Sequence, residues 1–367
     1  MAYSVEDLRE MLSRTYGLPY GPGKTAAIEQ VLRHTDAAGD PELSFDVRMM
    51  ATDAYALGGE PAKSMVTFSW CLAEFDRDPG RDYHEAWSDT LLWQFKYMVD
   101  DFVSFPGVPL ARTYALLDDM ERRYREAGEQ TQAVYHYRHV VARHVGDAEA
   151  AAHWYERWVT APRDELSDCI GCDPRGMMSH LISTGRYADA IELGEATLAQ
   201  PLVCVQQPQS VQNALMFPYL RTGRGQDAAE MQRRSYRAIK NDVSDMGDVG
   251  EHLEFCAVTG NEHRGLEMLE RHLSWVPQAP SPVVLMDFAA AAGLLLRRLS
   301  ELGHGDAPVR RGEESVPARE LGAEMVKTAR DLAAQFDARN GTAARSAGVE
   351  RTLAATPNEV TVTLNDR

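Results

Sequence analysis

The sequence predicts an all-α protein built as a right-handed α-solenoid, in which pairs of antiparallel helices stack one on the next. The first observation is a glycine turn that occurs three times between residues 173 and 275, with spacings of 38 and 37 residues. The turns are Thr184-Gly185, Thr222-Gly223 and Thr259-Gly260. The second observation is a segment of small and apolar residues after each turn. These segments are Ala190-Ile191-Glu192-Leu193, Ala228-Ala229-Glu230-Met231 and Gly265-Leu266-Glu267-Met268. A fixed period of this length is typical of stacked helix pairs.

This combination resembles the tetratricopeptide-repeat (TPR) superfamily, whose motif has a glycine at the end of the first helix and alanines in the second. The period here is a little longer than the usual one, and the Trp-x-x-Leu-Gly start of the family is replaced in one repeat by Phe217-Pro218-Tyr219-Leu220. The resemblance implies a curved stack whose concave face, lined by the first helix of each pair, binds a protein or peptide. It does not identify that partner.

Composition and charge exclude several classes of protein. The chain has 367 residues, of which 44% are hydrophobic, so it can bury a substantial core. The net charge of −17 argues against broad contact with a phosphate backbone, which requires clustered Lys and Arg. No apolar run reaches the roughly 20 residues of a membrane span, since the most apolar stretch, 283–296, leads into Arg297-Arg298. We therefore expect no nucleic-acid partner and no membrane span.

The predicted location is the cytoplasm. Residues 1–7 are acidic and begin a helix, so they do not form a secretory signal. The five cysteines are an odd number in a long chain, which favours a reducing compartment over a disulfide framework.

Residues 1–57 are predicted to form an N-terminal helical cap. Ser4 and Asp7 resemble a capping box that opens a helix to about Tyr16, and helices follow over 26–38 and 41–57. Two other interpretations of this region are disfavoured. The segment Gly17 to Thr25 has five residues between its glycines instead of the four of a phosphate-binding loop, and no strand precedes it. A helix-turn-helix is disfavoured because residues 26–32 are acidic and apolar where a recognition helix carries basic or amide side chains.

The repeats are predicted to span 58–301, and two groups of residues in them are candidates for a binding groove. Trp93 and Tyr97 lie four apart, off the apolar stripe of their helix, with Lys96 and Asp100 beside them. Their alternative role is packing against the preceding helix pair.

The second groove candidate is the set His136, His139 and Arg143, which share one helix face. As a groove lining they suit an acidic ligand or a C-terminal carboxylate. The alternative is an ordinary solvated face beside a core that contains Val134 and Tyr135.

Three cysteines form the candidate metal site. Cys169 and Cys172 lie in the loop before one first helix, and Cys204 lies in the loop before the next. In a stack those loops share an edge about 10 Å apart, so three thiolates can converge on structural zinc. Gln209 occupies the position where a histidine would complete the ligand set, which leaves Asp168 or Asp173 as the fourth candidate. Reduced cysteines in a packed loop are the alternative. A thioredoxin-type redox motif is disfavoured, because no strand precedes the pair.

The C-terminal region is predicted in three parts. Residues 302–316 are a flexible polar linker, 317–355 a capping helix that covers the apolar helix 283–299, and 356–367 a mobile tail.

The sequence contains no recognisable catalytic motif: neither a Gly-x-Ser-x-Gly elbow, nor a His-Glu-x-x-His pair, nor a dinucleotide glycine fingerprint is present. We therefore expect a protein that is not an enzyme and has no cofactor apart from the candidate zinc. The function predicted is a protein- or peptide-binding adaptor or scaffold. The alternative is a regulatory sensor that responds to a small molecule or peptide.

Overall fold

The computed structural model describes residues 3–78, 80–358 and 362–364, and it confirms an all-α solenoid. The helices of the first half are α1 (Val5–Ser13), α2 (Pro22–Ala38), α3 (Pro41–Leu57), α4 (Pro61–Arg77), α5 (Asp82–Glu85), α6 (Ser88–Ser104), α7 (Leu110–Ala127), α8 (Gln132–Val145) and α9 (Ala148–Thr160). Those of the second half are α10 (Cys172–Ser183), α11 (Tyr187–Leu198), α12 (Gln209–Arg221), α13 (Gly225–Ile239), α14 (Met246–Val258), α15 (Glu262–His272), α16 (Pro282–Leu299), α17 (Ala318–Asn340) and α18 (Ala344–Leu353).

The glycine turns of the repeat close the helix pairs as predicted. Gly185, Gly223 and Gly260 have φ values of 74°, 78° and 78°, the left-handed conformation that a side chain disfavours. The small residue after the third turn also has a packing role. A Cβ at Gly265 would lie 2.7 Å from Leu295 Cδ1, so α15 and α16 pack closely at this glycine.

The apolar helix α16 is covered on both sides, as its composition predicts. It packs against α14 on one side and against α17 and α18 on the other, and residues 288–296 are all buried. Three clusters of buried residues follow one another along the chain, centred on α2–α3, on α6–α8 and on α12–α17. A succession of cores is typical of a solenoid, in which each pair contacts mainly its neighbours.

The segment 302–316, expected to be a flexible linker, instead contains regular structure. A π-helical turn, Ser300–His304, leads into the antiparallel strands β1 (Pro308–Arg311) and β2 (Glu314–Pro317). Val309 pairs with Val316 and is fully buried, and the backbone N–H of Arg310 donates to Glu270 on α15 at 2.7 Å. Two apolar residues in a polar segment are enough to anchor a short hairpin to a neighbouring helix.

The C-terminal cap is two helices, not one. Gly341 ends α17 in the left-handed conformation, and the carboxylate of Asp337 accepts the backbone N–H groups of Arg345 at 2.9 Å and Ser346 at 3.1 Å at the start of α18. Glycine and an acid in these positions stop one helix and begin the next.

The described part of the tail is anchored, which corrects the prediction of a mobile segment for those residues. The N–H of Asn358 donates to the carbonyl of Val258 at 2.7 Å, and the amide of Asn261 donates to the carbonyl of Val362 at 2.7 Å. Val362 is buried against the end of α14 and α15. Residues 359–361 and 365–367 of the predicted tail lie outside the described residues.

The solenoid also closes on itself, which the sequence did not predict. The guanidinium of Arg339 on α17 donates to the carbonyls of Phe102 and Val103, both at 3.2 Å, in the last turn of α6. It also donates to the carbonyl of Phe105, just beyond that helix, at 2.9 Å. Thr342 donates to the carbonyl of Val145 at 2.8 Å. We call these contacts the clasp, because they join the last helices to the middle of the chain.

Replacing Arg339 by glutamine is expected to loosen the clasp. The three carbonyls would lose a charged donor, which costs on the order of 2 kcal/mol of unfolding free energy. The measurements are chemical denaturation and the radius of gyration from small-angle scattering, which should rise. Arg330→Gln, on the same helix but in an exposed pair with Glu350, is the matched control. An unchanged radius together with unchanged stability would show that the clasp does not hold the ring closed.

Candidate functional site

The first helices of successive pairs form an inner row that encloses the candidate site. Contacts join α6 to α8, α10 to α12, α12 to α14 and α14 to α16, and α16 returns to contact α6. His139 on α8 and His180 on α10 link the remaining neighbours. We call α6, α8, α10, α12, α14 and α16 the inner helices. The concave face that they line is therefore surrounded by protein.

Asp100 lies on α6 near the charges of Lys96 and His136. Its side chain is exposed to solvent, and burial by the surrounding protein raises the pKa of its carboxyl to about 7. This combination is consistent with a position on a concave face.

The centre of the site on α6 and α8 is a buried charge network around Asp168. Lys96 is 0% exposed and donates to Asp168 Oδ1 and to the carbonyl of Leu166, both at 2.9 Å. His136 Nδ1 lies 3.0 Å from Asp168 Oδ2. Burial alone would raise the pKa of Asp168, but the hydrogen bond from His136 and the charge of Lys96 outweigh it and hold that pKa well below its usual range. Burial lowers the pKa of Lys96, and the carboxylate of Asp168 opposes that shift.

Trp93 and Tyr97, predicted for the groove, are half-buried beside this network. The indole N–H of Trp93 donates to the hydroxyl of Tyr97 at 2.9 Å. The ammonium of Lys96 lies 2.9 Å from the centre of the Trp93 ring, a cation–π contact. Both aromatic residues also pack on the middle core cluster, so they help to shield Lys96 and present only part of their surface to a ligand.

His136 and His139 are buried in a stack of rings between α8, α9 and α10. His136 stacks on Trp158 with ring centres 3.9 Å apart, and Trp158 donates to the buried carboxylate of Asp173 at 2.8 Å. His139 is 1% exposed and lies 3.1 Å from His180, with a pKa that burial lowers to about 3. This burial removes His139 from the residues that a ligand can contact, contrary to its predicted place in the groove.

Arg143 is the predicted groove residue with the greatest exposure. Burial in the concavity lowers the pKa of its guanidinium to about 10, and the positive charges of Arg175 and Arg345 lower it further. Arg345 is paired with Asp287 at 3.2 Å, and Arg175 donates to Ser179 at 2.6 Å. No carboxylate in the described part of the chain forms an ion pair with Arg143, so its charge is available to an anion.

Four acids at three-residue spacing lie along α14 and at the residue before it, and they were not predicted from the sequence. We call Asp245, Asp248, Glu251 and Glu254 the acidic ladder. Burial, and then the charge of Asp248, raises the pKa of Asp245 to about 7 and that of Glu251 to about 8. The amide of Asn213 on α12 donates to Asp248 at 3.2 Å and to Glu251 at 2.8 Å. The three-residue spacing, which makes each acid a neighbour of the next one on the helix surface, was the available signal.

The three cysteines of the candidate metal site converge. The Sγ atoms of Cys169, Cys172 and Cys204 all lie within 4.8 Å of one another, and those of Cys172 and Cys204 are 3.6 Å apart. Gln209, by contrast, donates to the carbonyl of Val205 at 2.6 Å. Asp168 and Asp173, the expected fourth ligands, are occupied in the networks above.

The other two cysteines, Cys71 and Cys256, are core residues. Both are buried inside helices. Burial raises the pKa of both thiols, to about 12 for Cys256.

The inner row and the paired outer helices define a helical-repeat protein of the TPR-like type. No protein-family model matches the sequence, and no curated protein matches it at a significant level. The structure is similar to one described as the APC/C hetero-tetramer Cut9-Hcn1, with a TM-score of 0.55 and 12% sequence identity over 95% of this chain. This chain spans 62% of the length of that one. The similarity confirms the TPR-like fold. No helix within the described ranges is long and apolar enough to cross a membrane.

Proposed function

We propose that this protein is a non-catalytic scaffold that binds a protein partner through an extended segment inside the ring of inner helices. The observation that carries the proposal is the pairing of accessible, incompletely neutralised charges of both signs on that face. Arg143 with Arg175 supplies the positive part, and the acidic ladder supplies the negative part. The free cysteines and the acidic composition are consistent with a cytoplasmic protein that does not bind nucleic acid.

The shifted pKa values describe what the partner should carry. A carboxylate with a raised pKa ionises at a cost, and a cationic side chain beside it offsets that cost. Arg143 is in the opposite situation and favours an anion. A segment with a Lys or Arg for the ladder and an acidic side chain or C-terminal carboxylate for Arg143 complements both. The net charge of −17 would speed the approach of a basic partner.

Labelled peptides of mixed charge test the proposal by fluorescence anisotropy. One double variant, Arg143→Gln/Arg175→Gln, removes the positive arm of the site, and another, Asp248→Asn/Glu251→Gln, removes the negative arm. Each is expected to weaken binding about tenfold or more, since a charged hydrogen bond contributes roughly 1.5–3 kcal/mol. Lys327→Gln, on an exposed part of α17, is the control. Each arm should matter only for peptides that carry the opposite charge. Equal binding by all variants would place the partner elsewhere on the molecule.

The sensor alternative has one specific observation in its favour. A pocket of about 460 Å³ lies between α16, α17 and α18, with Gly293, Leu296 and Val326 in its apolar floor and Arg330 at its rim. A ligand there would act on the same helices that form the clasp. In that case ligand binding would change the radius of gyration, whereas a scaffold would keep its shape when a peptide binds.

A further inference from the structure

We propose that Cys169, Cys172 and Cys204 bind one Zn²⁺ ion, which ties the loop before α10 to the loop before α12. With a Zn–S bond of about 2.3 Å and tetrahedral angles, two thiolates on one ion lie about 3.8 Å apart. The observed separation of 3.6 Å between Cys172 Sγ and Cys204 Sγ is close to that value, and Cys169 lies within 4.8 Å of both. The sulfurs of residues 32 positions apart are therefore already placed around one point.

The two loops are packed closely enough to hold this arrangement. A Cβ at Gly171 would lie 2.7 Å from Cγ of Gln207, so the two loops are in close contact at this glycine. Gln207 donates from Nε2 to Cys172 Sγ at 3.5 Å, and the N–H of Cys172 donates to Cys169 Sγ at 3.2 Å. Such hydrogen bonds to ligand sulfurs orient the ligands and disperse their charge.

A positive charge lies close to the cluster. The ammonium of Lys96 lies near Cys172. Three thiolates and one Zn²⁺ carry a net charge of −1, and this ammonium, although paired with Asp168, places a positive charge near that anion.

The fourth position is open to an oxygen ligand. Gln206 Oε1 is 3.8 Å from Cys172 Sγ, on the exposed side of the cluster, and water reaches the same side because all three cysteines are partly exposed. Asp168 is excluded, since Lys96 and His136 occupy its two oxygens. The ion would still stabilise the network of Lys96, His136 and Asp168, because its ligand Cys169 directly follows Asp168 in the chain.

The test is the metal content of the intact chain, purified under reducing conditions without chelator. One Zn²⁺ per chain is expected by elemental mass spectrometry, and Cys172→Ser and Cys204→Ser should each lower that content at least tenfold. Cys71→Ala, which removes a core thiol remote from the cluster, should retain full content. Co²⁺ substitution gives a second readout, since tetrahedral thiolate coordination produces a sulfur-to-metal charge-transfer band that the serine variants should lack.

Two results would overturn the proposal. One is folded, reduced protein that binds neither Zn²⁺ nor Co²⁺, or binds them equally well in the serine variants. The other is a Cys172–Cys204 disulfide found by peptide mapping in protein whose reduced form binds no metal, which would make the pair a redox element. Neither result bears on the peptide-binding proposal, because the arginine and ladder variants leave the cysteines intact.

Discussion

Replacing Asp168 by alanine is expected to lower the free energy of unfolding by about 3–5 kcal/mol, because it leaves a buried ammonium without its counterion. Lys96 is fully buried and donates to the Asp168 carboxylate at 2.9 Å. The substitution also removes the acceptor of His136, which lies 3.0 Å from the other carboxylate oxygen. Chemical denaturation followed by helical circular dichroism measures the effect.

Two controls separate the buried charge from a general effect of the substitution. Asp189→Ala breaks an ion pair with Arg186 in which both side chains are about half exposed, 47% and 57%, and should cost less than about 1 kcal/mol. The double variant Lys96→Met/Asp168→Leu removes both charges and should recover much of the loss, because replacing a buried pair with apolar residues is often nearly neutral. A loss below about 1 kcal/mol for Asp168→Ala alone would mean that the ammonium finds another partner or water.

Helices and their ends were predictable where the local signals are strong. A helix over 41–57 was expected with the boundaries that α3 has, since Pro41 suits a first helical position. The hairpin at 308–317 was not predictable, because its stability comes from contacts with α15 and α17 rather than from local propensity. The clasp was missed for a related reason. Curvature accumulates over many helix pairs, and no local pattern indicates that the last helices return to contact the ends of α6 and α8.

In the candidate site, too, some features were predictable from the sequence and others were not. The convergence of the three cysteines followed from one assumption, that loops of neighbouring pairs share an edge, and the structure places their sulfurs together. The bond between Lys96 and Asp168 spans 72 residues, from α6 to the loop between α9 and α10. A lysine on a helix is ordinarily a surface residue, so nothing in the sequence indicated that this one is buried. Arg143 remained accessible and His139 did not, although the two lie four residues apart on α8, because α9 and α10 cover one end of that face.

Protein stability is expected to fall between about pH 6.5 and pH 8. Burial raises the pKa of Asp101 to about 8 and that of Glu251 to about 8, well above the ordinary value near 4. Such groups stabilise the fold fully below pH 4, and the contribution is lost as pH rises through the folded-state pKa. Buried His139 and His144 have the opposite effect, with pKa values lowered to about 3, but that effect is complete once pH exceeds about 6.5.

The variants Asp101→Asn and Glu251→Gln isolate this dependence from other titrating groups. For the buried Asp101 the slope of unfolding free energy against pH should become flatter by up to about 1.4 kcal/mol per pH unit. Asp331→Asn, at an exposed position on α17, should leave the slope unchanged. Parallel pH curves for the parent protein and both interior variants would show that these carboxyls ionise without cost in the folded state.

The same titration connects stability to binding on the inner face. A cationic segment beside the acidic ladder stabilises ionised carboxylates, so it lowers the raised pKa of Glu251 and releases protons when it binds near pH 7. Calorimetry in two buffers with different ionisation enthalpies measures that release directly. Affinity should rise with pH as the ladder ionises, even though the free protein becomes less stable over the same range. An affinity that is independent of pH would mean that the basic residues of the partner do not contact the ladder, and would leave Arg143 as the charged contact to examine.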